Sequence, residues 1–340
     1  MKAFYITEPG QSELRDLDEP RPGPSEVLLK TRLIGFCGTD LSTFRGKNPL
    51  VSYPRIPGHE IAATVVEPGS EVPGEIRSGV DVTVYPNTSC GACASCLRGR
   101  TNACKFNQTL GVQRDGALTG YFTVPYDKVV PAPDLSLREL SLVEPLAVGF
   151  HAVERGRVER EDTVAVVGCG MVGLGAIAAA ASRGASVIAI DLDESKLQLA
   201  AKAGARHLLN SQPVAVGETL DGLTRGFGPD VVIEAVGTPD TYRLAVDIVA
   251  HTGRVVYIGW AKEAVSFETK HFVHKELDIL GSRNYLNEFA PVIELLRQRR
   301  FPVEQTISRT VPLRDAGEAL KQWAGSPQAF TKILVDLDDN

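Results

Sequence analysis

The sequence predicts an α/β protein with two parts, an irregular β-barrel and a doubly wound parallel sheet. The chain has 340 residues, a length typical of two domains. Its first part, of about 135 residues, contains short apolar runs separated by Pro and Gly clusters, which is the pattern of a small barrel with long loops. From Glu139 onward strand and helix patterns alternate, as expected for a parallel sheet covered on both faces by helices.

In the first part, Pro and Gly clusters define the ends of the predicted strands as clearly as the apolar runs define the strands. Pro removes a ladder donor and Gly favours turns, so clusters such as Pro20–Pro24 and Glu67–Gly69 end strands. The predicted strands are Val27–Phe36, Ile61–Val66, Val80–Tyr85 and Tyr121–Pro125.

In the second part, helical spacing around Leu140–Val148 comes first. Six predicted strands follow, at Val164–Gly168, Ser186–Asp191, His207–Asn210, Val231–Val236, Arg254–Gly259 and Leu277–Gly281. The helices predicted between them run to Arg183, over Glu194–Ala203, near Thr219 and over Thr241–Ala250. The tail adds helices near Pro291–Arg299 and over Leu313–Ala324 and a last strand, Lys332–Leu337.

Charge and hydropathy favour a small-molecule partner. Lys and Arg total 36 against 42 Asp and Glu, so the net charge of −6 argues against nucleic acid and anionic membranes. The N-terminus lacks the apolar core of a signal peptide, so we expect a reducing cytoplasm. The uncharged stretch Thr163–Ser182 is long enough to cross a membrane, but its Ala, Val and Gly content without flanking aromatics favours a strand, a turn and a buried helix.

A Gly-x-Gly-x-x-Gly pattern made by Gly168, Gly170 and Gly173 follows the first of the six strands. The first glycine permits a tight turn, the second lets the backbone approach a pyrophosphate at the helix N-terminus, and the third lets helix and strand pack closely. Met171 and Val172 lie between the last two glycines and are predicted to contact the cofactor with them.

Asp191 ends the next strand, where a carboxylate accepts hydrogen bonds from the adenosine ribose hydroxyls. No basic residue follows until Lys196, so NAD is favoured over NADP. The alternative is a tight strand-to-helix turn with an unrelated acid after the next strand.

Four of the six cysteines fall in one short window, CGACASCLRGRTNAC. Cys90, Cys93, Cys96 and Cys104 are suited to a tetrahedral Zn²⁺ with no open position, which is a structural site. An iron–sulfur cluster uses a similar ligand set and is the main alternative.

Cys37 and the pair His59–Glu60 are candidates for a second metal. One thiolate, one imidazole and one carboxylate leave zinc an open position for substrate. From spacing alone, however, a lone Cys and a His in a β-rich region are more often part of the core than ligands.

These motifs together resemble the zinc-dependent medium-chain dehydrogenases. The shared features occur in the same order over essentially the whole chain: Cys37-Gly-Thr-Asp40, Gly58-His-Glu60, the four-cysteine window, Glu144-Pro145, and VVGCGMVGLG with Asp191. Within that group the chain is most similar to polyol, threonine and sugar-acid dehydrogenases. The segment 271–284, HFVHKELDILGSRN, resembles galactonate- or gulonate-type sugar-acid oxidoreductases.

The resemblance implies a GroES-like catalytic domain, residues 1–148 and 286–340, with a Rossmann NAD-binding domain, residues 149–285, inserted in it. It implies two zinc ions per subunit and a homo-oligomer, a dimer or tetramer. The catalytic zinc would be held by Cys37, His59 and Glu60, with Glu144 binding it directly or through water.

The implied chemistry is oxidation of an alcohol by hydride transfer to nicotinamide, with zinc lowering the pKa of the alcohol. By the family pattern Thr39 would hydrogen-bond the substrate hydroxyl. Many relatives carry a His three residues beyond that Thr as a proton relay, whereas this chain has Ser42, so we assign no general base. Asp40 is predicted to accept a backbone hydrogen bond rather than to act in catalysis.

The expected substrate is a sugar acid or a polyol, oxidised at a secondary hydroxyl. Arg283 suits a sugar-acid carboxylate, although a salt bridge is an equal alternative. His151 and Cys169 are predicted to be packed in the core, and His271 and His274 to lie in a surface loop. The alternative functions are an L-threonine 3-dehydrogenase and a non-catalytic sensor of NAD and zinc, the latter suggested by Ser42.

Overall fold

The computed structural model describes residues 1–211 and 216–338. Two compact units divide the chain: Met1–Glu144 with Val303–Asn340, and Pro145–Pro302. The C-terminal segment is thus part of the first unit. The predicted boundaries, after residues 148 and 285, differ from these. Residues 286–302 lie in the second unit, to which a buried contact between His151 and Glu288 ties them.

Strands and helices are numbered here in chain order. The strands are β1 Lys2–Glu8, β2 Gln11–Asp16, β3 Glu26–Phe36, β4 Glu60–Pro68, β5 Asp81–Val84, β6 Tyr121–Pro125, β7 Val129–Pro131, β8 Thr163–Val167, β9 Ser186–Asp191, β10 His207–Asn210, β11 Val231–Glu234, β12 Arg254–Tyr257, β13 Asp278–Gly281, β14 Ile307–Pro312 and β15 Lys332–Asp336. The helices are α1 Gly38–Phe44, α2 Leu137–Arg155, α3 Met171–Ser182, α4 Glu194–Lys202, α5 Val216–Thr224, α6 Pro239–Ile248, α7 Lys270–His274, α8 Phe289–Arg297, α9 Val303–Thr306 and α10 Ala316–Gly325.

The first unit is built on a seven-stranded sheet in the order β14-β15-β3-β4-β5-β7, with β6 paired to β3 beside that path. β1 and β2 form a separate two-stranded sheet. In the central strand, Gly35 pairs with Glu60 of β4, and Phe36 pairs with Ile333 of β15. This register brings the starts of β4 and β15, which are far apart in sequence, beside the end of β3 and Cys37.

Large apolar side chains from several strands make the core of the first unit. Leu29, Ile34 and Phe36 of β3, Ile61 of β4 and Leu118 are all almost fully buried. Burying each such side chain contributes about 1.5–3 kcal/mol before conformational entropy is counted. The central strand is therefore a rigid support for the residue that follows it, Cys37.

The second unit contains a six-stranded parallel sheet in the order β10-β9-β8-β11-β12-β13. Counted from β8, this order is the 3-2-1-4-5-6 arrangement of dinucleotide-binding folds. The central strands consist mainly of Val, Ile and Ala because both faces are covered. The unit therefore has the Rossmann architecture that the alternating pattern predicted.

The predicted strands and helices are present, with ends shifted by a few residues. The prediction missed β1, β2, β7, β14, α1, α7 and α9. β2 is almost entirely exposed, and α1 has a Gly and two Thr in seven residues, so neither carries a clear apolar period.

The uncharged stretch Thr163–Ser182 consists of β8, a glycine turn and α3. In the described ranges 1–211 and 216–338, every helix is too short or too polar to cross a bilayer.

Candidate metal centres and dinucleotide site

The four cysteines of the short window converge in the first unit. Cys90, Cys93, Cys96 and Cys104 have sulfur atoms that all lie within 4.8 Å of one another, and we call these residues the cysteine lobe. Cys93 Sγ lies 3.5 Å from Cys96 Sγ and 3.8 Å from Cys104 Sγ. A tetrahedral zinc with Zn–S bonds of about 2.3 Å requires sulfurs about 3.8 Å apart. The lobe therefore fits a single zinc ion, whereas a cluster of several irons needs wider spacing.

Backbone amides support the sulfurs of the lobe. Cys90 and Phe106 each donate an N–H to Cys104 Sγ at 3.3 Å, and Cys93 donates one to Cys90 Sγ at 3.3 Å. Hydrogen bonds from Ser95 and from backbone amides lower the pKa of the Cys93 thiol to about 5. Such bonds stabilise thiolates, the form of cysteine that binds zinc.

Cys37 occupies the N-cap of α1, directly after the central strand. Its N–H donates to Asp40 Oδ2 at 2.9 Å, so the predicted backbone role of Asp40 is confirmed. Thr39 Oγ1 lies 3.7 Å from Cys37 Sγ. The first turn of α1 thus holds a thiol and a hydroxyl side by side.

His59 lies near side chains that can carry negative charge. Burial opposes a charge on the imidazole, but Asp40, Cys37 and Glu144 outweigh it and raise the pKa of His59 well above its ordinary value. His59 Nδ1 and Asp40 Oδ1, 4.0 Å apart, are both buried without a hydrogen-bond partner. A thiol, two buried carboxyl groups and a buried imidazole with an unsatisfied nitrogen form a set that fits a bound cation such as zinc.

Glu144 lies in α2 directly before Pro145 and is buried. Burial raises the pKa of its carboxyl group to about 7, and the repulsion from Glu60 adds to this, while His59 and Lys332 act in the opposite direction. Within the described part of the chain, no group donates a hydrogen bond to the Glu144 carboxylate. Its carboxylate is therefore available to a ligand.

Glu60, at the start of β4, has a different environment. It forms an ion pair with Lys332 of β15, and the two side chains are 1% and 2% exposed. Any side chain at Gly35 would meet the Glu60 carboxylate, because a Cβ atom there would lie 2.0 Å from Oε2. The carboxylate of Glu60 thus rests over a glycine and against a lysine.

The predicted catalytic ligands therefore cluster less tightly than the cysteine lobe. Cys37, which is partly buried, and the buried residues His59, Glu60 and Glu144 lie near enough to one another to influence the pKa of His59 and of Glu144. Within the residues that the structure describes, however, no three of them bring their ligand atoms within 4.8 Å of one another.

The predicted dinucleotide turn joins β8 to α3 in the second unit. Gly168 has φ +94°, a left-handed conformation that favours glycine, and a Cβ on Gly173 would lie 1.8 Å from the Gly168 carbonyl oxygen. Gly170 is the N-cap of α3, and a Cβ there would meet no atom within 4 Å. The helix N-terminus is therefore open to an anionic group, as a bound pyrophosphate requires.

Asp191 lies at the end of β9, beside this turn. Its Oδ2 accepts the Cys169 N–H at 2.7 Å and its Oδ1 accepts the Asp193 N–H at 3.0 Å. These bonds fix the carboxylate at the edge of the turn. Cys169 itself is fully buried, so its predicted packing role is confirmed.

His151 is packed in the core as predicted, whereas His271 and His274 lie on a short helix and not in the predicted loop. His151 is buried, and its Nδ1 lies 2.8 Å from Glu288 Oε1. His271 and His274 belong to the short surface helix α7. Arg283 is exposed after β13.

Two important residues were missed in the sequence. Lys332 starts a buried strand, and Glu288 precedes a helix, so each has an ordinary local explanation as a strand end or a helix start. Their partners, Glu60 and His151, lie 272 and 137 residues away. No local pattern signals a contact over such a distance.

A GroES-like unit with a thiol, an imidazole and carboxylates close together, and a Rossmann unit in the same chain, define a metal-dependent dehydrogenase that uses a nicotinamide dinucleotide. Comparisons with known proteins agree with this class. Residues 23–134 match the alcohol dehydrogenase GroES-like domain, and residues 171–298 match the zinc-binding dehydrogenase family. The chain belongs to the zinc-dependent medium-chain dehydrogenases, in the branch of polyol and sugar-acid dehydrogenases, as the motifs predicted.

Similar proteins match over nearly the whole chain. L-galactonate-5-dehydrogenase of Escherichia coli K12 is 31% identical over 95% of both chains. Sorbitol dehydrogenase of Bacillus subtilis is 31% identical over 98% of this chain and 97% of its own. The crystal structure of a zinc-binding dehydrogenase from Sinorhizobium meliloti bound to NADP superimposes with a TM-score of 0.90 at 30% identity, covering 99% of each chain. The protein is therefore an oxidoreductase that uses zinc and a nicotinamide dinucleotide to oxidise alcohols.

Proposed function

We propose that the protein oxidises a secondary alcohol of a sugar acid, or of a polyol, to the ketone with NAD as hydride acceptor. The observation that carries the proposal is the charged cluster in the first unit, in which Asp40 lies 4.0 Å from His59, and Cys37 and Glu144 add to the negative charge that raises the pKa of His59. Such a concentration of anionic groups around one imidazole is costly unless a cation joins it.

The catalytic zinc would be held by Cys37, His59 and Glu60, with Glu144 binding it directly or through water. Bound zinc supplies Lewis acidity that lowers the pKa of an alcohol, and the dinucleotide accepts the hydride. The protein's share of the work is to fix the ligands and to exclude water from a low-dielectric site.

Neighbouring side chains orient substrate and ligands. Thr39, beside Cys37, offers a hydroxyl that can hydrogen-bond an alcohol oxygen at the same place. Asp40 fixes the backbone of Cys37 and faces His59. Ser42 stands where many relatives carry a proton-relay histidine, and a serine is not basic near neutral pH. We therefore assign no general base.

The cysteine lobe, by this proposal, holds the second, structural zinc. Four thiolates close its coordination sphere, so no position is left for substrate.

The second unit would bind NAD through Gly168, Gly170, Met171, Val172 and Gly173, with Asp191 on the ribose. Asp193 and Glu194 follow Asp191 within three positions, so a 2′-phosphate would meet three acids. NAD is therefore preferred, although the Sinorhizobium relative was crystallised with NADP.

A sugar acid is the favoured substrate class. Arg283 provides a cation for a carboxylate, and the galactonate dehydrogenase relative acts on such an acid. We further propose a cytoplasmic homo-oligomer. All six cysteines are unbridged, as a reducing compartment requires, and β13 leaves the parallel sheet with an exposed edge that includes Ile279.

The test is a substrate panel of aldonates, polyols and threonine, each with NAD and NADP, followed by NADH absorbance. We expect turnover of a sugar acid with NAD that disappears in His59→Ala and persists in His207→Ala, the matched control on β10. Full activity in His59→Ala would contradict the proposal. Turnover of threonine alone would identify a threonine dehydrogenase, and tight NAD binding without turnover would identify a sensor.

A further inference from the structure

Arg114 is a partly buried cation that the protein leaves without a counter-charge. Its Nε is shielded from solvent and has no hydrogen-bond partner, and among residues 1–211 and 216–338 its guanidinium group forms no hydrogen bond or ion pair. Burial lowers the pKa of this side chain. A charge shielded from water in this way is costly unless an opposite charge joins it. Arg114 is therefore suited to bind an anion.

A nearby arginine, Arg55, shows the usual arrangement for comparison. Its Nη1 donates to Asp115 Oδ1 at 2.9 Å, and its Nη2 donates to Ser52 Oγ at 2.9 Å. The same Asp115 oxygen accepts the Ile56 N–H at 3.2 Å. The acid that follows Arg114 in the sequence is thus already bound to another arginine and to the main chain, so it does not neutralise Arg114.

The turn that carries Arg114 packs against the residue before His59. The carbonyl oxygen of Arg114 accepts the Gly111 N–H at 2.8 Å. A Cβ atom on Gly111 would lie 2.7 Å from Gly58 N, and one on Gly116 would lie 2.6 Å from the Gly58 carbonyl oxygen. The main chain on both sides of Arg114 therefore touches Gly58, so Arg114 belongs to the wall beside the charged cluster.

A cation beside the cluster, but not bonded to it, suits the far end of a substrate. Arg114 forms no ion pair with the carboxylates of the cluster in the part of the chain that the structure describes. In a sugar acid the carboxylate is separated by one or more carbon atoms from each secondary hydroxyl that could be oxidised. The planar fork of a guanidinium group matches a carboxylate in shape, and its single positive charge balances the carboxylate's single negative charge.

We propose that Arg114 binds the carboxylate of the substrate and is the residue that selects a sugar acid over a neutral polyol. This inference rests on the proposed function for the oxidised alcohol and names its substrate class. Arg283, the other candidate cation, is exposed, and exposed ion pairs contribute little in water. Arg114 is shielded, so an ion pair with it is the stronger of the two.

The experiment compares an aldonate with the polyol that has a hydroxymethyl group in place of its carboxylate. For galactonate this polyol is galactitol. In Arg114→Met we expect kcat/KM for the acid to fall about 30–100-fold, mainly through KM, while that for the polyol stays within about threefold. Arg114→Lys keeps the charge without the fork and should recover part of the loss. Arg77→Met, at an exposed arginine of the same unit, is the control and should change neither value.

The melting temperature distinguishes a binding residue from a structural one. Arg114→Met should keep or raise it, because the change removes a shielded charge that the protein itself does not pair. A lower melting temperature with equal losses for acid and polyol would identify a structural arginine and overturn the proposal. A larger loss for the acid in Arg283→Met than in Arg114→Met would overturn it as well.

Calorimetry of galactonate binding to the zinc-loaded protein with NADH needs no turnover. We expect Arg114→Met to weaken this binding about 30-fold or more, and Arg77→Met to leave it unchanged. If Arg114→Met weakens the binding in a protein that oxidises nothing in the panel, only the proposed function is contradicted. If Arg114→Met of an active enzyme binds galactonate like the parent, only the role of Arg114 is contradicted.

Discussion

The cysteine lobe and the charged cluster around His59 lie in the same unit but are built in opposite ways. The lobe takes its ligands from a single loop, and its sulfurs already lie within 4.8 Å of one another. The cluster takes Cys37, His59 and Glu144 from three separate elements and leaves their ligand atoms further apart. A structural metal site thus needs only a local loop, whereas a catalytic one needs the register of a sheet and keeps room for a substrate.

The charge around the two sites differs as well. Arg98, Arg100 and Lys105 lie between or next to the cysteines of the lobe in sequence, and there is no acidic residue between Asp81 and Asp115. Cations around the lobe offset the charge of four thiolates. In the cluster the carboxylates outnumber the cations, and Lys332 is the only buried lysine beside them in the described chain. The lobe is thus electrostatically balanced by the protein, while the cluster retains an anionic excess for a metal.

The largest effect is expected from Cys37→Ser. Lewis-acid stabilisation is worth several kcal/mol, and each 1.4 kcal/mol or so is tenfold in rate, so kcat/KM should fall by about 10³-fold or more. The melting temperature should change little. His207→Ala, on β10 and outside both metal sites and the dinucleotide turn, is the control and should keep activity within about threefold. Comparable activity in Cys37→Ser and in the control would show that Cys37 does not hold a catalytic metal.

Cys104→Ser should act on stability instead. Cys104 is fully buried and its sulfur accepts two main-chain N–H bonds. Losing this ligand should cost at least about 2 kcal/mol, which lowers the melting temperature by roughly 4–8 °C in calorimetry. Ser95→Ala, a neighbour in the lobe that is not a ligand, should have a much smaller effect. An unchanged melting temperature in Cys104→Ser would show that the lobe is not a structural metal site.

A smaller effect is expected from Asp40→Asn. The neutral side chain can still bond the Cys37 amide but no longer supports His59 by charge, so zinc affinity at the cluster should fall about 10–100-fold. Competition with a chromogenic chelator measures this. Asp115→Asn is the control, because Asp115 also accepts a main-chain N–H, from Ile56, but does not face His59. Equal affinities in both variants would contradict the role of Asp40.

The smallest effect concerns a buried His–carboxylate pair in the second unit, His151 and Glu288, that belongs to neither metal site. Burial would raise the pKa of Glu288, but hydrogen bonds from His151 and from the amides of Leu286 and Asn287 outweigh it, so the pKa lies below the ordinary value of 4.5. A lowered carboxyl pKa stabilises the fold above pH 4.5 and loses that contribution as the pH falls towards the lower folded value. Glu288→Gln should therefore cost about 1.5–3 kcal/mol at pH 7 and less at low pH.

Urea unfolding of both proteins across pH 3–7 measures this difference, with Glu294→Gln on the exposed side of α8 as control. A loss that stays constant down to pH 3 would show that the charge of Glu288 is not the cause.

Most strands and helices were predictable because the spacing of apolar residues and the presence of turn residues are local features of the sequence. β9 and β10, for example, have the predicted bounds, and the glycines after β8 identify the dinucleotide turn. β2 and α1 were missed because one is exposed and the other is short, so neither has a strong apolar pattern. The domain boundaries depend on long-range packing, and residues 286–302 were placed in the other domain for that reason.

The two candidate metal sites also differ in how far the sequence predicts them. The spacing of Cys90, Cys93, Cys96 and Cys104 predicted the lobe directly, because a loop brings close neighbours together. Cys37, His59 and Glu60 were identified through a family resemblance. Lys332 was not predicted, because it reaches Glu60 only through the β15–β3–β4 register.

The most direct measurement is the zinc content per chain of the parent protein, Cys37→Ser and Cys104→Ser by mass spectrometry of the metal. The presence of two different zinc sites predicts two ions per chain in the parent and one in each variant, with the activity lost only in Cys37→Ser. Two ions retained in Cys37→Ser would contradict the assignment of the charged cluster as a zinc site.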